Sequence, residues 1–189
     1  MRSICFASAN NNKYLEIQPV LSKYDIVIEF LKIELIEIQS DSMERIAIEK
    51  SKNAFTKSSK PVIVEDDGIF ITKLNGFPGQ YASYVFKTIG NDGILKLLTN
   101  SKNRQAYFRS VVAFYDGRNS LSFIGETRGN ISQRITEGGW GYDPIFIPLG
   151  TTLTYGQLEL QKRKKQFSHR VKALDEFVKW YKSSSLGII

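Results

Sequence analysis

A run of carboxylates, Glu65-Asp66-Asp67, is the first group of residues in this sequence that could perform chemistry. The run follows residues 61–64, whose apolar character predicts a buried strand, and Glu37 follows an earlier β-like segment. Carboxylates crowded at strand ends repel one another, and an Mg²⁺ ion held by their oxygens would relieve that repulsion and could also bridge phosphates. The alternative is a polar turn, because Asp-Gly pairs are common in turns.

The segment that contains Ser8, Asn10 and Lys13 has the features of a phosphate site. It lies where an apolar strand, residues 4–7, gives way to a predicted helix, and free N–H groups and the helix dipole favour an anion there. The sequence contains neither a G-x-x-x-x-G-K-[ST] nor a G-x-G-x-x-G pattern, which excludes P-loop and Rossmann phosphate sites. The alternative is that Asn and Ser only cap the helix.

Lys50 occupies an unusual position in the next predicted helix. It lies on the stripe of Ile46, Ala47 and Ala54, which recur at helical spacing and are expected to face the core. A lysine there is costly unless it has an anionic partner or reaches a cleft, which favours a functional role. The alternative is that its long stem passes the edge of the core and reaches water.

Two further groups lie in the second half of the chain. In the glycine-rich segment 138–144, glycines allow a ligand to approach the backbone and Trp140 offers a face on which a base can stack. The sole histidine, His169, stands beside Arg170 at the start of the last predicted helix, and an arginine fork at a helix start can read carbonyl oxygens. The alternatives are a turn with core aromatics and a structural histidine.

The elements that must position these residues alternate between strand and helix patterns, which predicts an α/β fold with a mixed sheet in one domain, residues 1–189. We predict strands over residues 4–7, 26–38 and 61–64, a hairpin of residues 106–115 and 121–131, and helices over 11–24, 92–98 and 168–181. A further helix is expected to begin with a capping box formed by Asp41 and Glu44.

Composition narrows the class of protein. The net charge of +7 and the pI near 9.4 indicate an anionic partner: nucleic acid, a membrane surface or a phosphorylated small molecule. No apolar run approaches the roughly 20 residues that span a bilayer, and no signal peptide is recognisable, so we expect a cytoplasmic protein without a membrane partner. The single cysteine, Cys5, excludes an intrachain disulfide.

Taken in order, these segments resemble the Ham1-like inosine triphosphate pyrophosphatase family, whose members hydrolyse non-standard purine nucleotides such as XTP and dITP. The resemblance covers nearly the whole chain. It rests on five motifs in register: Ser8-x-Asn10-x-x-Lys13, Glu65-Asp66-x-Gly68, Gly76-x-Pro78-Gly79, Trp140-Gly141-Tyr142-Asp143-Pro144 and Lys164-x-x-x-Ser168-His169-Arg170.

The resemblance implies an elongated mixed sheet flanked by helices, in two lobes with the nucleotide in a central cleft, and a homodimer. It also implies roles for individual residues. Lys13 and Lys50 would bind phosphates, with Ser8 and Asn10 in the phosphate segment, and Glu37, Glu65 and Asp66 would bind Mg²⁺. Asp66 would also act as the general base. Asp143 would line the base or the metal side of the pocket, and the base would be bound by Trp140, Gly141, Tyr142, Lys164, Ser168, His169 and Arg170. Asp67 stands where most relatives have Ser or Thr, and Trp140 where most have Phe; both are expected to contact substrate.

The expected reaction is Mg²⁺-dependent hydrolysis of ITP, dITP or XTP to the monophosphate and pyrophosphate. One alternative is a pyrophosphatase of the Maf type, which acts on other modified nucleotides. Another is a basic nucleic-acid-binding protein that uses residues 162–165, although the sequence contains no aromatic-basic RNA-binding motif and its carboxylate cluster would repel phosphates without a metal. We therefore expect a purine nucleoside triphosphate substrate and no stable nucleic-acid partner.

Overall fold

The computed structural model describes residues 4–184, which contain seven strands and six α-helices. The strands are Ile4–Ala7 (β1), Ile28–Leu31 (β2), Val62–Ile71 (β3), Pro78–Gly79 (β4), Gln105–Tyr115 (β5), Ser120–Ile131 (β6) and Phe146–Pro148 (β7). The helices are Asn11–Leu21 (α1), Met43–Ser58 (α2), Ala82–Thr88 (α3), Gly90–Leu97 (α4), Tyr155–Leu160 (α5) and His169–Ser183 (α6). No helix in this part of the chain is long and apolar enough to cross a membrane.

The strands form one mixed sheet in the order β2-β1-β3-β5-β6-β7, with β4 paired to β3 outside this path. The β1 strand runs parallel to both β2 and β3, whereas β4 is antiparallel to β3 and β7 is antiparallel to β6. Helices flank this sheet, so the predicted α/β class with a mixed sheet is confirmed.

The chain divides into two compact units, and β3, β5, β6 and α6 each contribute residues to both. Within the described residues, unit 1 comprises residues 4–66, 110–125 and 170–184. All four residues of β1 are buried, as expected of a strand with parallel neighbours on both sides. The core of unit 1 packs Phe6 and Ile17 against the apolar stripe of α6, which includes Leu174 and Phe177. This is the stripe that the 3.6-residue period predicts.

Unit 2 comprises residues 67–109 and 126–169 and has its own core, in which Phe108, Phe146 and Tyr155 are in ring contact. Arg104 holds the edge of this core, because its guanidinium donates to the carbonyls of Leu98, Ile131 and Ser132 at 2.6–3.0 Å. The predicted single domain over residues 1–189, and the predicted two lobes with a central cleft, stay predictions.

Several predicted elements need correction. The strand predicted over residues 26–38 is short, Ile28–Leu31, and residues 32–42 form neither strand nor helix. The α2 helix is capped by Ser42, whose hydroxyl accepts from the Arg45 N–H at 3.2 Å, so the Asp41 capping box was wrong. Ser42 directly follows Asp41, and its hydroxyl oxygen is better placed to accept from the first turn of the helix. The hairpin of β5 and β6 is confirmed as two neighbouring strands joined by residues 116–119.

Candidate active site

The acidic run lies inside β3, which continues to residue 71, and not at a strand end as the sequence indicated. The strand begins with three buried apolar residues, and the carboxylates that follow keep extended backbone. Glu65 is buried, at 3% exposure, whereas Asp66 and Asp67 are partly exposed. A buried carboxylate requires compensating partners, and those partners define the rest of the site.

Lys13 is the first of these partners. Its ammonium lies 3.0 Å from Oε2 of Glu65, donates to the Glu65 carbonyl at 3.2 Å, and lies 3.9 Å from Oδ1 of Asp66. The start of α1 fixes this position, because Asn10 caps the helix by accepting from the Asn12 N–H at 2.9 Å, and the Ser8 hydroxyl accepts from the Asn10 N–H at 3.1 Å. The capping interpretation is therefore confirmed for Asn10, whereas Ser8 bonds to the capping residue itself, and the phosphate role of both stays a prediction.

Lys50 has the anionic partners that its place on the core-facing stripe of α2 requires. Its ammonium lies 3.4 Å from Oδ2 of Asp66 and 3.6 Å from Oε1 of Glu37. The Asp66 carboxylate is thus paired with lysines from α1 and α2, with both lysine side chains at most 15% exposed. An ion pair in such a shielded setting is screened less by salt than a surface pair.

Glu37 is carried by the irregular segment that follows β2, and α2 holds this segment in place. Lys57 donates to the carbonyl of Glu34 at 2.9 Å, and the side-chain oxygen of Asn53 accepts from the Ile36 N–H at 3.4 Å. The carboxylate of Glu37 remains 54% exposed. A half-exposed carboxylate that shares Lys50 with Asp66 is chemically suited to bind a divalent cation.

The predicted metal set of Glu37, Glu65 and Asp66 is not arranged as a preformed site. Among residues 4–184, no group of three or more His, Cys, Asp or Glu side chains is placed to hold a metal ion. Glu65 faces Lys13 and Arg170, whereas Glu37 and Asp66 share Lys50. Glu65 is the buried member of the set, so Glu37 and Asp66 are the two that could offer oxygens to Mg²⁺ together with substrate phosphates and waters, and metal binding stays a prediction.

Arg170, at the start of α6, is 2% exposed. Its NH1 group donates to Glu16 on α1, and its Nε lies 3.1 Å from Oε1 of Glu65. Sequence reasoning missed Glu16 and also missed Ser110, whose hydroxyl donates to Oε1 of Glu65 at 2.5 Å. Glu16 lies one helical turn after Lys13, a signal that was available. The base-recognition role of Arg170 stays a prediction.

In unit 2, a buried ion pair organises the glycine-rich segment. The Lys164 ammonium donates to Oδ2 of Asp143 at 2.6 Å, and both side chains are at most 6% exposed. The same carboxylate oxygen accepts from the backbone N–H of Trp140 at 3.1 Å, and the ammonium lies 5.7 Å from the centre of the Trp140 ring. Gly139 is required here, because a Cβ atom would lie 2.5 Å from Asp143. The backbone of Trp140 is therefore held by the charged pair, and its indole lies beside the Lys164 ammonium.

Helices α3 and α4 hold the rest of this segment. The Tyr142 hydroxyl donates to the Ala82 carbonyl at 2.9 Å, and burial raises the pKa of that hydroxyl well above its usual range. Asn91 donates to the Gly141 carbonyl at 3.0 Å. Tyr142 and Gly141 therefore have structural contacts in the described residues, and their predicted contact with the base stays a prediction.

His169 is stacked on the ring of Phe108, with ring centres 4.5 Å apart and planes 11° from parallel. Its Nε2 atom lies 3.9 Å from Oδ2 of Asp67. The preceding turn is fixed because the Phe167 carbonyl accepts from both the Thr127 and Tyr155 hydroxyls, at 2.5 and 2.9 Å. Ser168, which separates Phe167 from His169 in the sequence, is 4% exposed. The histidine is thus held rigidly and near a carboxylate.

The sequence profile of the Ham1 family matches residues 4–180 of this chain. The chain belongs to the Ham1 family. It is 46% identical to the dITP/XTP pyrophosphatase of Methanopyrus kandleri, over 97% of this chain and 98% of that protein, and 44% identical to the enzyme of the same name from Korarchaeum cryptofilum, over 96% and 98%. The resemblance seen in the sequence is therefore confirmed.

Solved Ham1 structures have the same fold as this chain. The Staphylococcus aureus Ham1 protein superposes with a TM-score of 0.83 at 28% identity, covering 96% of this chain and 99% of that one. A HAM1 protein from Coxiella burnetii gives the same TM-score and identity, with 97% and 100% covered.

Proposed function

We propose that this Ham1-family chain hydrolyses non-standard purine nucleoside triphosphates, namely dITP, XTP and ITP, to the monophosphate and pyrophosphate. The observation that carries the proposal is the Asp66 carboxylate, which is paired with Lys13 and Lys50 and shares Lys50 with Glu37. The dITP/XTP pyrophosphatase names of the archaeal relatives support the substrate class.

Asp66 acts as the general base in this proposal. It orients a water and accepts its proton as the oxygen attacks the α phosphorus, and pyrophosphate leaves with the electrons of the broken α–β bridging bond. The lysine partners hold the carboxylate in one orientation, which favours proton transfer through positioning. Positioning and charge neutralisation dominate phosphoryl-transfer chemistry.

Lys13 and Lys50 also counter negative charge on the phosphates, because each ammonium provides donors in a shielded environment. Glu37 and Asp66 would hold Mg²⁺, which when bound neutralises phosphate charge and improves pyrophosphate as a leaving group. Residues Ser8 and Asn10 are proposed to line the phosphate end through the start of α1.

Base recognition is proposed for the unit 2 residues. Trp140 stacks on the purine, with its backbone held by Asp143 and its ring beside Lys164. Donors on Lys164 and His169 face the 6-oxo group of the base, and adenine is rejected because its amino group would leave those donors unpaired. Asp67 contributes to base recognition through His169, because its Oδ2 atom lies 3.9 Å from the histidine Nε2.

The substrate assay separates this function from the Maf-type and nucleic-acid-binding alternatives. The purified chain is supplied with Mg²⁺ and each of ITP, dITP, XTP, ATP, GTP and modified pyrimidine triphosphates, and pyrophosphate and phosphate release are scored separately. We expect pyrophosphate release with the 6-oxo purines ITP, dITP and XTP in preference to ATP. Phosphate release, or preference for modified pyrimidines, would contradict the proposal.

We further propose that the 189 residues act as one domain, that the protein functions as a homodimer and that it works in the cytoplasm, where the nucleotide pool is located. A sedimentation-equilibrium measurement tests the oligomeric state.

A further inference from the structure

Glu65 is the most enclosed carboxylate in the group around Asp66, with a side chain 1% exposed. Three groups from three elements surround it. They are the Lys13 ammonium from α1 at 3.0 Å, the Arg170 Nε from α6 at 3.1 Å, and the Ser110 hydroxyl from β5 at 2.5 Å. The proposed reaction uses Lys13 and leaves Ser110 without a role.

Ser110 is completely buried, and the residues that follow it in β5, Val111 and Val112, are apolar and fully buried. A hydroxyl in such surroundings is costly unless it makes a hydrogen bond. An ionised carboxylate can only accept, so the hydroxyl must donate to Glu65, and this charge-assisted bond is of the strong, short class. The bond fixes one oxygen of the carboxylate.

The other oxygen of Glu65 faces Lys13, and so does the Glu65 carbonyl. A lysine side chain has four rotatable bonds, and without fixed acceptors its ammonium would sample several directions. Two acceptors from one residue, together with the nearby Asp66 carboxylate, restrict the directions that the ammonium can take. The orientation of Lys13 therefore depends on how firmly the Glu65 carboxylate is held.

We infer that Ser110 is a positioning residue for phosphate binding: by holding Glu65, it fixes the direction of the Lys13 ammonium. The inference rests on the proposed function, because it assigns Lys13 to the phosphates. It gives Glu65 an orienting role in place of metal binding. Arg170 also helps to fix the Glu65 carboxylate.

The test compares Ser110→Ala with Ser51→Ala, a matched control in unit 1. Ser51 is also fully buried, but its hydroxyl donates within its own helix to the Ile48 carbonyl at 2.7 Å. Binding of inorganic pyrophosphate with Mg²⁺ is measured by calorimetry, with melting curves for both variants. We expect Ser110→Ala to weaken pyrophosphate binding roughly tenfold, the scale of one hydrogen bond to a charged group, and Ser51→Ala to leave it unchanged.

A double-mutant cycle with Lys13→Ala separates positioning from general destabilisation. If Ser110 acts through Lys13, adding Ser110→Ala to Lys13→Ala should not weaken pyrophosphate binding further. Ser110→Thr, which keeps the hydroxyl, should restore most of the affinity. Additive losses in the cycle, or affinity for Ser110→Ala within about twofold of the Ser51→Ala control, would overturn the inference.

If Ser110→Ala does not fold, Ser110→Cys replaces it, because a thiol is a weaker donor of similar shape. Intermediate pyrophosphate affinity would support the inference, and wild-type affinity in the folded variant would refute it. The titration does not depend on turnover. A wild-type protein that binds pyrophosphate but does not form it from dITP or XTP would therefore count against the proposed function. In that case the double-mutant cycle would still decide whether Ser110 positions Lys13.

Discussion

The guanidinium of Arg170 donates to the carboxylate of Glu16, which joins the start of α6 to α1, the helix that carries Lys13. The same guanidinium lies 3.1 Å from Glu65, and Arg170 is 2% exposed. Removing one partner of such a buried network leaves the charges of the others less well compensated. These contacts support a role for Arg170 in orienting the phosphate-binding residues.

Arg170→Ala is expected to lower the free energy of unfolding by about 3–5 kcal/mol, because Glu16 and Glu65 each lose one cationic partner of a buried network. We expect kcat/KM for dITP and dATP to fall by similar factors, so that their ratio is unchanged. Urea unfolding and steady-state kinetics on both substrates test this. A loss of discrimination of about 1–3 kcal/mol would instead support the base-recognition role that the sequence predicted for this residue.

Asp66→Asn is expected to reduce kcat by several orders of magnitude while nucleotide binding persists, because loss of the base affects the transition state more than the ground state. Calorimetry with dITP and a pyrophosphate-release assay measure the two quantities. Asp92→Asn, at an exposed position in the first turn of α4, is the control and should match the wild type. Near wild-type turnover in Asp66→Asn would remove this residue from the mechanism.

Chelation of divalent cations is expected to stop turnover, and added Mg²⁺ should restore it, because Glu37 and Asp66 are proposed to bind the ion with the substrate phosphates. Glu37→Gln should raise the Mg²⁺ concentration that gives half-maximal activity. It should also weaken Mn²⁺ binding observed by electron paramagnetic resonance. Full activity after EDTA treatment and dialysis would exclude this part of the proposal.

Asp143→Asn is expected to destabilise the protein by about 3–5 kcal/mol, because Lys164 would keep a buried charge without its anion. The control is Glu49→Gln, which breaks the exposed pair with Lys52, in which the side chains are 43% and 44% exposed. That change should cost no more than about 1 kcal/mol. Urea unfolding of both variants tests the difference. Equal losses of stability would show that burial does not set the contribution of the Asp143–Lys164 pair.

Trp140→Ala is expected to weaken dITP binding by about 1–3 kcal/mol, the scale of stacking on one base. Pyrophosphate has no base, so its affinity should not change. Trp140→Phe should retain most of the dITP affinity, because a smaller ring still stacks. If both ligands lose affinity equally in Trp140→Ala, the indole supports the structure and does not bind the base.

Local patterns in the sequence determined those parts of the fold whose signal lies within a few residues. The apolar run of β1, the stripe of α6 and the hairpin around residues 116–119 could be predicted, because burial imposes a period on each element. The motifs likewise pointed to the Ham1 family, and the unusual place of Lys50 on a core-facing stripe correctly indicated an anionic partner.

The partners themselves were decided by tertiary structure. Nothing local shows that Ser110 donates to Glu65, 45 positions away, or that Arg170 reaches Glu16 across 154 positions. The β-rich composition of residues 26–38 predicted one long strand, but only four residues pair with β1, and the segment that bears Glu37 is held by α2 instead. Strand length depends on an available neighbour, and the partner of a buried charge depends on which elements meet around it. Both are properties of the folded chain, because their free energy comes from contacts between residues distant in sequence.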